Sequence, residues 1–267
     1  MKLSFAALFS FLLAGCGDSS SSSNAGGQGG SSTSDSGGGG NPSSGGSSSG
    51  GSNSSGGGGA ASCGEDVDAP FEELGGGADP ENNDFTLDEA LAELPEGPGP
   101  LRAIFDTDFG TITCELFPEV APIGVANFVG LARGRRAFLH PETDVWTRGV
   151  RYYDGLTFHR VVDDFVAQGG DPLGNGFGGP GYEFVNETAN NKSHVPGTLS
   201  YANAGPDTNG SQFFMVAEIE ASFLDGGYTI FGLCSEIDVI KTITEVPASN
   251  EEPNAPIIIH SVSITRC

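Results

Sequence analysis

The chain is poor in positive charge: 11 lysines and arginines stand against 35 aspartates and glutamates, a formal net charge of −24 at pH 7. So acidic a protein repels a phosphate backbone, which excludes nucleic acid as a partner class. Histidine is scarce as well, and His140, His159, His194 and His260 fall at no spacing that ligates a metal. The five cysteines include no C-x-x-C pair, so neither a zinc site nor a dithiol redox centre is implied. The glycine-rich stretch Gly174 to Gly181 lacks the Gly-Lys-Ser/Thr ending of a phosphate loop. Asp106, Asp108 and Gly110 open like a calcium loop, but the glutamate that would close one does not follow. No cofactor is implied. The apolar run Leu3 to Leu13 is too short to span a bilayer.

That run follows Lys2 and leads into Leu13, Ala14, Gly15 and Cys16, the layout of an export signal. The ending resembles the processing site of bacterial lipoproteins, in which the cysteine is acylated and becomes the mature N-terminus. The resemblance implies a signal peptide over 1–15, lipidation at Cys16 and a place in the cell envelope, periplasmic or on the outer surface, with the membrane as a partner through the lipid. An ordinary secretory signal with a chance cysteine is the alternative. After Cys16, the rest of the 16–62 segment is nearly all Ser, Gly and Asn and buries too little to offset chain entropy, so it reads as a disordered tether. Such a coil has an average span of roughly 35 to 40 Å.

About 200 residues remain, enough for one domain with a single large core. Residues 63–100 form an acidic lead-in with one short helix, Thr86 to Leu94, which opens on a capping-box pair and is expected outside the main body. Within 101–267, alternation marks strands at Arg102 to Asp106, Thr111 to Phe117, Leu156 to Val162, Phe165 to Gln168, Gly197 to Tyr201, Phe213 to Ala217, Thr229 to Leu233 and Ile257 to Thr265. Helical spacing marks Ala121 to Arg133, and Asp238 to Thr244 reads as a second helix. Many short strands with two main helices predict a mainly β protein, a closed antiparallel barrel without free edges. Four cysteines besides Cys16 permit three pairings. Ile112, Cys114 and Leu116 face inward together, whereas Cys267 lies on the outward side of its strand. The favoured pairs are Cys63 with Cys267 and Cys114 with Cys234.

Two blocks carry the chemistry: FHRVVDDFVAQGGD from Phe158 and YANAGPDTNGSQFFM from Tyr201. With GNGFGGPGYEF between them and FLDGGYTIFG after, they resemble the cyclophilin family of peptidyl-prolyl isomerases over roughly Leu101 to Cys267. The resemblance implies an eight-stranded barrel capped by a helix at each end, with an active groove on its outer surface. It makes Arg160 the catalytic cation. It assigns Phe165, Val166, Phe214 and Leu224 to a proline pocket, with Phe223 and Tyr228 at its edge. Gln168 and Asn203 would grip the substrate backbone, Ala202 and Ala204 would leave room beside it, Gln212 would support Arg160, and His159 matches weakly. The implied partners are proline-containing unfolded or extended segments, met by a monomer.

Departures from the family pattern qualify this picture. Asp163 and Asp164 replace the usual Pro-Gly and would bring two carboxylates near Arg160. Phe223 sits where inhibitor-sensitive members carry tryptophan. The stretch Arg135 to Arg151 is longer than the usual link and holds the sole tryptophan, Trp146. It reads either as a loop packed on its own barrel or as a client-binding flap beside the groove. Two function classes follow: an isomerase acting on X-Pro bonds of exported proteins, or a non-catalytic module or holdase using the same groove.

Overall fold

The computed structural model describes residues 66–189 and 191–266. The expected signal, the Cys16 lipidation site, the tether and the Cys63–Cys267 pair therefore lie outside the described residues. Among the described residues no helix is long and apolar enough to cross a membrane.

Eight strands make one antiparallel sheet: β2 (Arg102–Thr107), β3 (Gly110–Leu116), β6 (Arg160–Val162), β7 (Val166–Gly169), β8 (Thr198–Tyr201), β9 (Phe213–Val216), β10 (Ile230–Cys234) and β13 (Ile259–Thr265). The order is β13-β2-β3-β10-β8-β9-β7-β6, so the sheet curls into a half-barrel and does not close as expected. The reason lies at its two ends. Of the stretch read as one strand from Leu156, only the last three residues join β7. Residues 155–158 leave the sheet and lace the seam instead, with Gly155 N–H donating to Ile259 O at 2.8 Å and Phe158 N–H to Ile257 O at 3.0 Å. The free edge of β6 meets a hairpin tip, where Val161 N–H donates to Glu251 O at 2.7 Å.

Alternation builds the interior. Ala103, Phe105, Ile112, Cys114, Val262 and Ile264 all point into one core. The β2–β3 turn is closed by Thr107, whose hydroxyl donates to Gly110 O at 2.7 Å and accepts from Phe109 N–H at 3.2 Å. Cys114 and Cys234 face each other across β3 and β10 with their sulfurs 2.09 Å apart.

Helix α2 (Pro122–Ala132) starts on a proline, where a missing N–H matters least, and is buried from Gly124 to Ala132. Its N-cap residue, Ala121, makes no side-chain capping hydrogen bond. A distant carboxylate serves instead: Glu187 accepts from Ile123 N–H at 3.1 Å and Gly124 N–H at 2.8 Å. Phe128 on this helix stacks with Tyr153 and meets Phe105, Phe213 and Phe231, forming an aromatic centre. Helix α3 (Ile237–Thr244) buries Ile240 and Ile243 against the sheet.

The lead-in departs from expectation. Helix α1 (Leu87–Leu91) has the anticipated Thr86/Glu89 capping box, but Ala90 is fully buried and packs with Leu94 in the main core. Strand β1 (Glu72–Gly75) pairs with β5 (Trp146–Arg148), which pairs with β4 (Phe138–Leu139). The lead-in and the 135–151 insertion thus share a small sheet. Acidic residues of the lead-in pair with arginines of the insertion, Asp79 and Glu81 with Arg136, Glu81 with Arg148 and Asp68 with Arg151, while Asp66 pairs with Arg133 at the end of α2. Trp146 is buried, its indole N–H donating to Gly77 O at 2.9 Å and its ring stacked on Tyr182. The insertion is therefore packed on its own body.

Candidate active site

The candidate groove forms where one strand pair serves two cores. On β7 and β9 the residues Ala167, Phe213 and Met215 point into the main core. Their neighbours Val166, Phe214 and Val216 point the other way, into a second cluster with Phe165, Ala202, Ala221 and Leu224. Period-two alternation produces this division, since consecutive strand side chains leave opposite faces. The register then sets Arg160 opposite Gln168, and Gln168 opposite Phe214, in one row across β6, β7 and β9.

Arg160, Phe165, Val166, Gln168, Ala202, Phe214, Leu224 and Tyr228 line a single shallow pocket. The pocket has an apolar floor and a cationic wall. Arg160 Nε donates to Glu251 Oε2 at 2.7 Å and Nη1 to Gln168 Oε1 at 3.2 Å, while Nη2 has no hydrogen-bond partner among the described residues. Gln168 in turn donates to Gln212 Oε1 at 2.9 Å, and Gln212 Nε2 donates to Gly176 O and Gly178 O at 2.9 Å each. Gln212 thus supports Arg160 through Gln168.

Other expected residues sit around this centre. The 3₁₀ turn Ser222–Leu224 presses Leu224 into the pocket and leaves Phe223 57 % exposed, stacked on Phe165 with ring centroids 5.8 Å apart. Tyr228 meets Phe214 edge to face at 5.6 Å, and burial raises its pKa against the opposing pull of Arg160. Asn203 spends its amide on the adjoining loop, donating to Gly227 O at 3.2 Å and Asn209 Oδ1 at 3.3 Å. Ala204 is exposed on the same loop. His159 is buried, with both ring nitrogens lacking a hydrogen-bond partner among the described residues, and does not line the pocket. Burial depresses its pKa, partly countered by Asp171.

Two expectations are corrected, one of them on charge. The carboxylate that meets Arg160 is Glu251, not Asp163 or Asp164: Asp164 faces Lys241, with Oδ1 4.0 Å from Nζ. Asp163 is exposed. No insertion residue lines the pocket, so the flap reading lacks its geometry. Sequence reasoning also missed His194, which stacks on Phe214 at 5.7 Å and holds Asp225 Oδ1 at 2.7 Å through Nδ1. Its position behind an aromatic floor leaves no local pattern.

The arrangement offers a fixed cation beside a shallow pocket with an apolar floor. Comparison with known proteins agrees with it. The family described as cyclophilin type peptidyl-prolyl cis-trans isomerase/CLD matches residues 102–264. Peptidyl-prolyl cis-trans isomerase B of Streptomyces anulatus is 44 % identical over 170 residues, covering 61 % of this chain and 96 % of that protein. Peptidyl-prolyl cis-trans isomerase B of Bacillus subtilis is 48 % identical over 126 residues, covering 47 % of this chain and 76 % of that protein. A Cryptosporidium parvum cyclophilin type peptidyl-prolyl cis-trans isomerase, solved in the presence of the dipeptide Ala-Pro, superposes with a TM-score of 0.52 at 30 % identity, covering 61 % of this chain and 98 % of that one.

Proposed function

The chain belongs to the cyclophilin-type peptidyl-prolyl cis-trans isomerases, and from that premise we propose that it isomerises X-Pro bonds of exported proteins from a lipid-anchored position in the cell envelope, with Arg160 as the catalytic cation. It is a peptidyl-prolyl cis-trans isomerase by family and by its named relatives.

The chemistry needs no cofactor. Amide resonance opposes rotation with a barrier of about 18 to 20 kcal/mol, and uncatalysed exchange takes tens to hundreds of seconds. As the bond twists, the proline nitrogen pyramidalises and regains its lone pair. A guanidinium aimed there interacts more strongly with the twisted state than with the planar one, which is the difference that lowers a barrier. Arginine suits the task because it stays charged and its fork is rigid. The proline ring would rest on Phe165, Val166, Phe214 and Leu224, where burial contributes roughly 1.5 to 3 kcal/mol.

The observation that carries the reading is the row Arg160, Gln168, Phe214, which sets a held guanidinium beside an apolar floor. Export is supported by the signal-like start at Met1 to Cys16 and by the facing pair Cys114 and Cys234, read as an oxidised cross-link of a non-reducing compartment. The test is Arg160→Ala. Turnover of a short proline peptide should fall about 10² to 10³-fold, the loss typical of one transition-state donor, with peptide affinity within about threefold. Unchanged turnover would defeat the assignment of Arg160.

A further inference from the structure

We infer that Glu251 is a positioning residue for the Arg160 guanidinium, held for that purpose in a backbone conformation that disfavours it. Strands β11 (Ala248–Ser249) and β12 (Glu252–Pro253) form a hairpin whose two turn residues are Asn250 and Glu251. Both have positive φ, +53° and +68°. A two-residue hairpin turn of this kind favours Asn-Gly, because both central residues lie in the left-handed region. Asparagine tolerates that region. Glutamate does so poorly, and a non-glycine residue held there points to a constraint from elsewhere.

The surroundings supply the constraint. Ser249 Oγ donates to Asn254 Oδ1 at 2.7 Å, and Asn254 N–H donates to Pro247 O at 2.9 Å, closing the hairpin base. The Glu251 carbonyl accepts from Val161 N–H at 2.7 Å, pinning the tip to the residue that follows Arg160. From there the carboxylate reaches Arg160 Nε at 2.7 Å. Gln168 holds Nη1 on another side of the same planar group. Two acceptors on a rigid fork fix its plane, which leaves Nη2 to face substrate. One alone would leave the group free to pivot.

The inference rests on Arg160 as the group that meets the imide nitrogen, and the experiment separates the two claims. Glu251→Gly converts the turn to Asn-Gly and should melt no lower than the parent protein. Its kcat on a short proline peptide should nevertheless fall about tenfold, as expected for a misaimed catalytic group, with peptide affinity within about threefold. Glu251→Gln keeps an acceptor oxygen and should recover most of the lost rate. An E251G protein as fast as the parent or faster, or a loss that E251Q leaves unrepaired, overturns the inference. Arg160→Ala measured alongside tells which claim has failed: a fully active R160A defeats the role of Arg160, whereas a slow R160A with a fast E251G defeats only that of Glu251.

Discussion

Removing Asp66 should destabilise the whole body, although this residue lies far from the groove in sequence and does not line it. Arg133 is 1 % exposed and spends Nε and Nη2 on Asp66 Oδ1 at 2.8 and 2.7 Å, with its remaining contact from Nη1 to Ala90 O. The Asp66 side chain is itself only 7 % exposed. Deleting one partner of such a buried pair strands a charge and costs about 3 to 5 kcal/mol, whereas replacing both by apolar groups of similar volume is often neutral. For a body of this size each kcal/mol moves Tm by roughly 2 to 4 °C, so Asp66→Ala should melt about 6 to 20 °C lower. The double variant Asp66→Ala/Arg133→Met should return to within about 4 °C of the parent. Calorimetry at pH 7 in low and high salt checks this, since a buried pair is screened little. As an internal control, Glu93→Ala removes the partner of Arg135 from a site where the glutamate is 68 % exposed, and should leave Tm unmoved. An Asp66→Ala shift below about 2 °C would refute the argument that the lead-in is welded to the core by charge.

Two further outcomes are expected. Burial holds the pKa of His194 below its ordinary 6.5, against the upward pull of Asp225, and does the same for His159. The unfolded chain therefore takes up protons first, so stability holds above about pH 6.5 and declines as pH falls from there towards the folded values. Thermal melts between pH 8 and 5, with ring titrations by NMR, check this; midpoints at or above 6.5 would contradict it. Cys16→Ser should move the protein from the membrane fraction to the soluble one if Cys16 carries the proposed anchor, and retention of the variant in the membrane fraction would count against lipidation there.

Much of the barrel wall was legible because each strand alternates locally. Ile112, Cys114 and Leu116 show their inward face without reference to any partner. The pocket was legible because Arg160, Phe165, Val166 and Gln168 fall within nine consecutive residues, and Phe214 and Leu224 within eleven. Closure was not, since it depends on what the edges of β6 and β13 meet, and no edge announces its partner. The packing of the acidic lead-in, whose helix was expected outside the main body, was hidden for a related reason. Asp66, Asp79 and Glu81 find Arg133, Arg136 and Arg148 only after folding brings distant segments together. Glu251 is separated from Arg160 by 91 positions and sits in a turn whose residue choice runs against local preference, so local rules pointed away from it.

Phe213 and Phe214 are successive residues of β9, yet the first meets Phe105, Phe128 and Tyr153 while the second forms the floor of the groove. The floor of the proposed groove is consequently the back of the hydrophobic interior, with no spacer in between. A wall backed directly by close-packed core yields little, so if the proposed groove is the working one, the rearrangement during turnover would fall to the visiting peptide, turned as against an anvil.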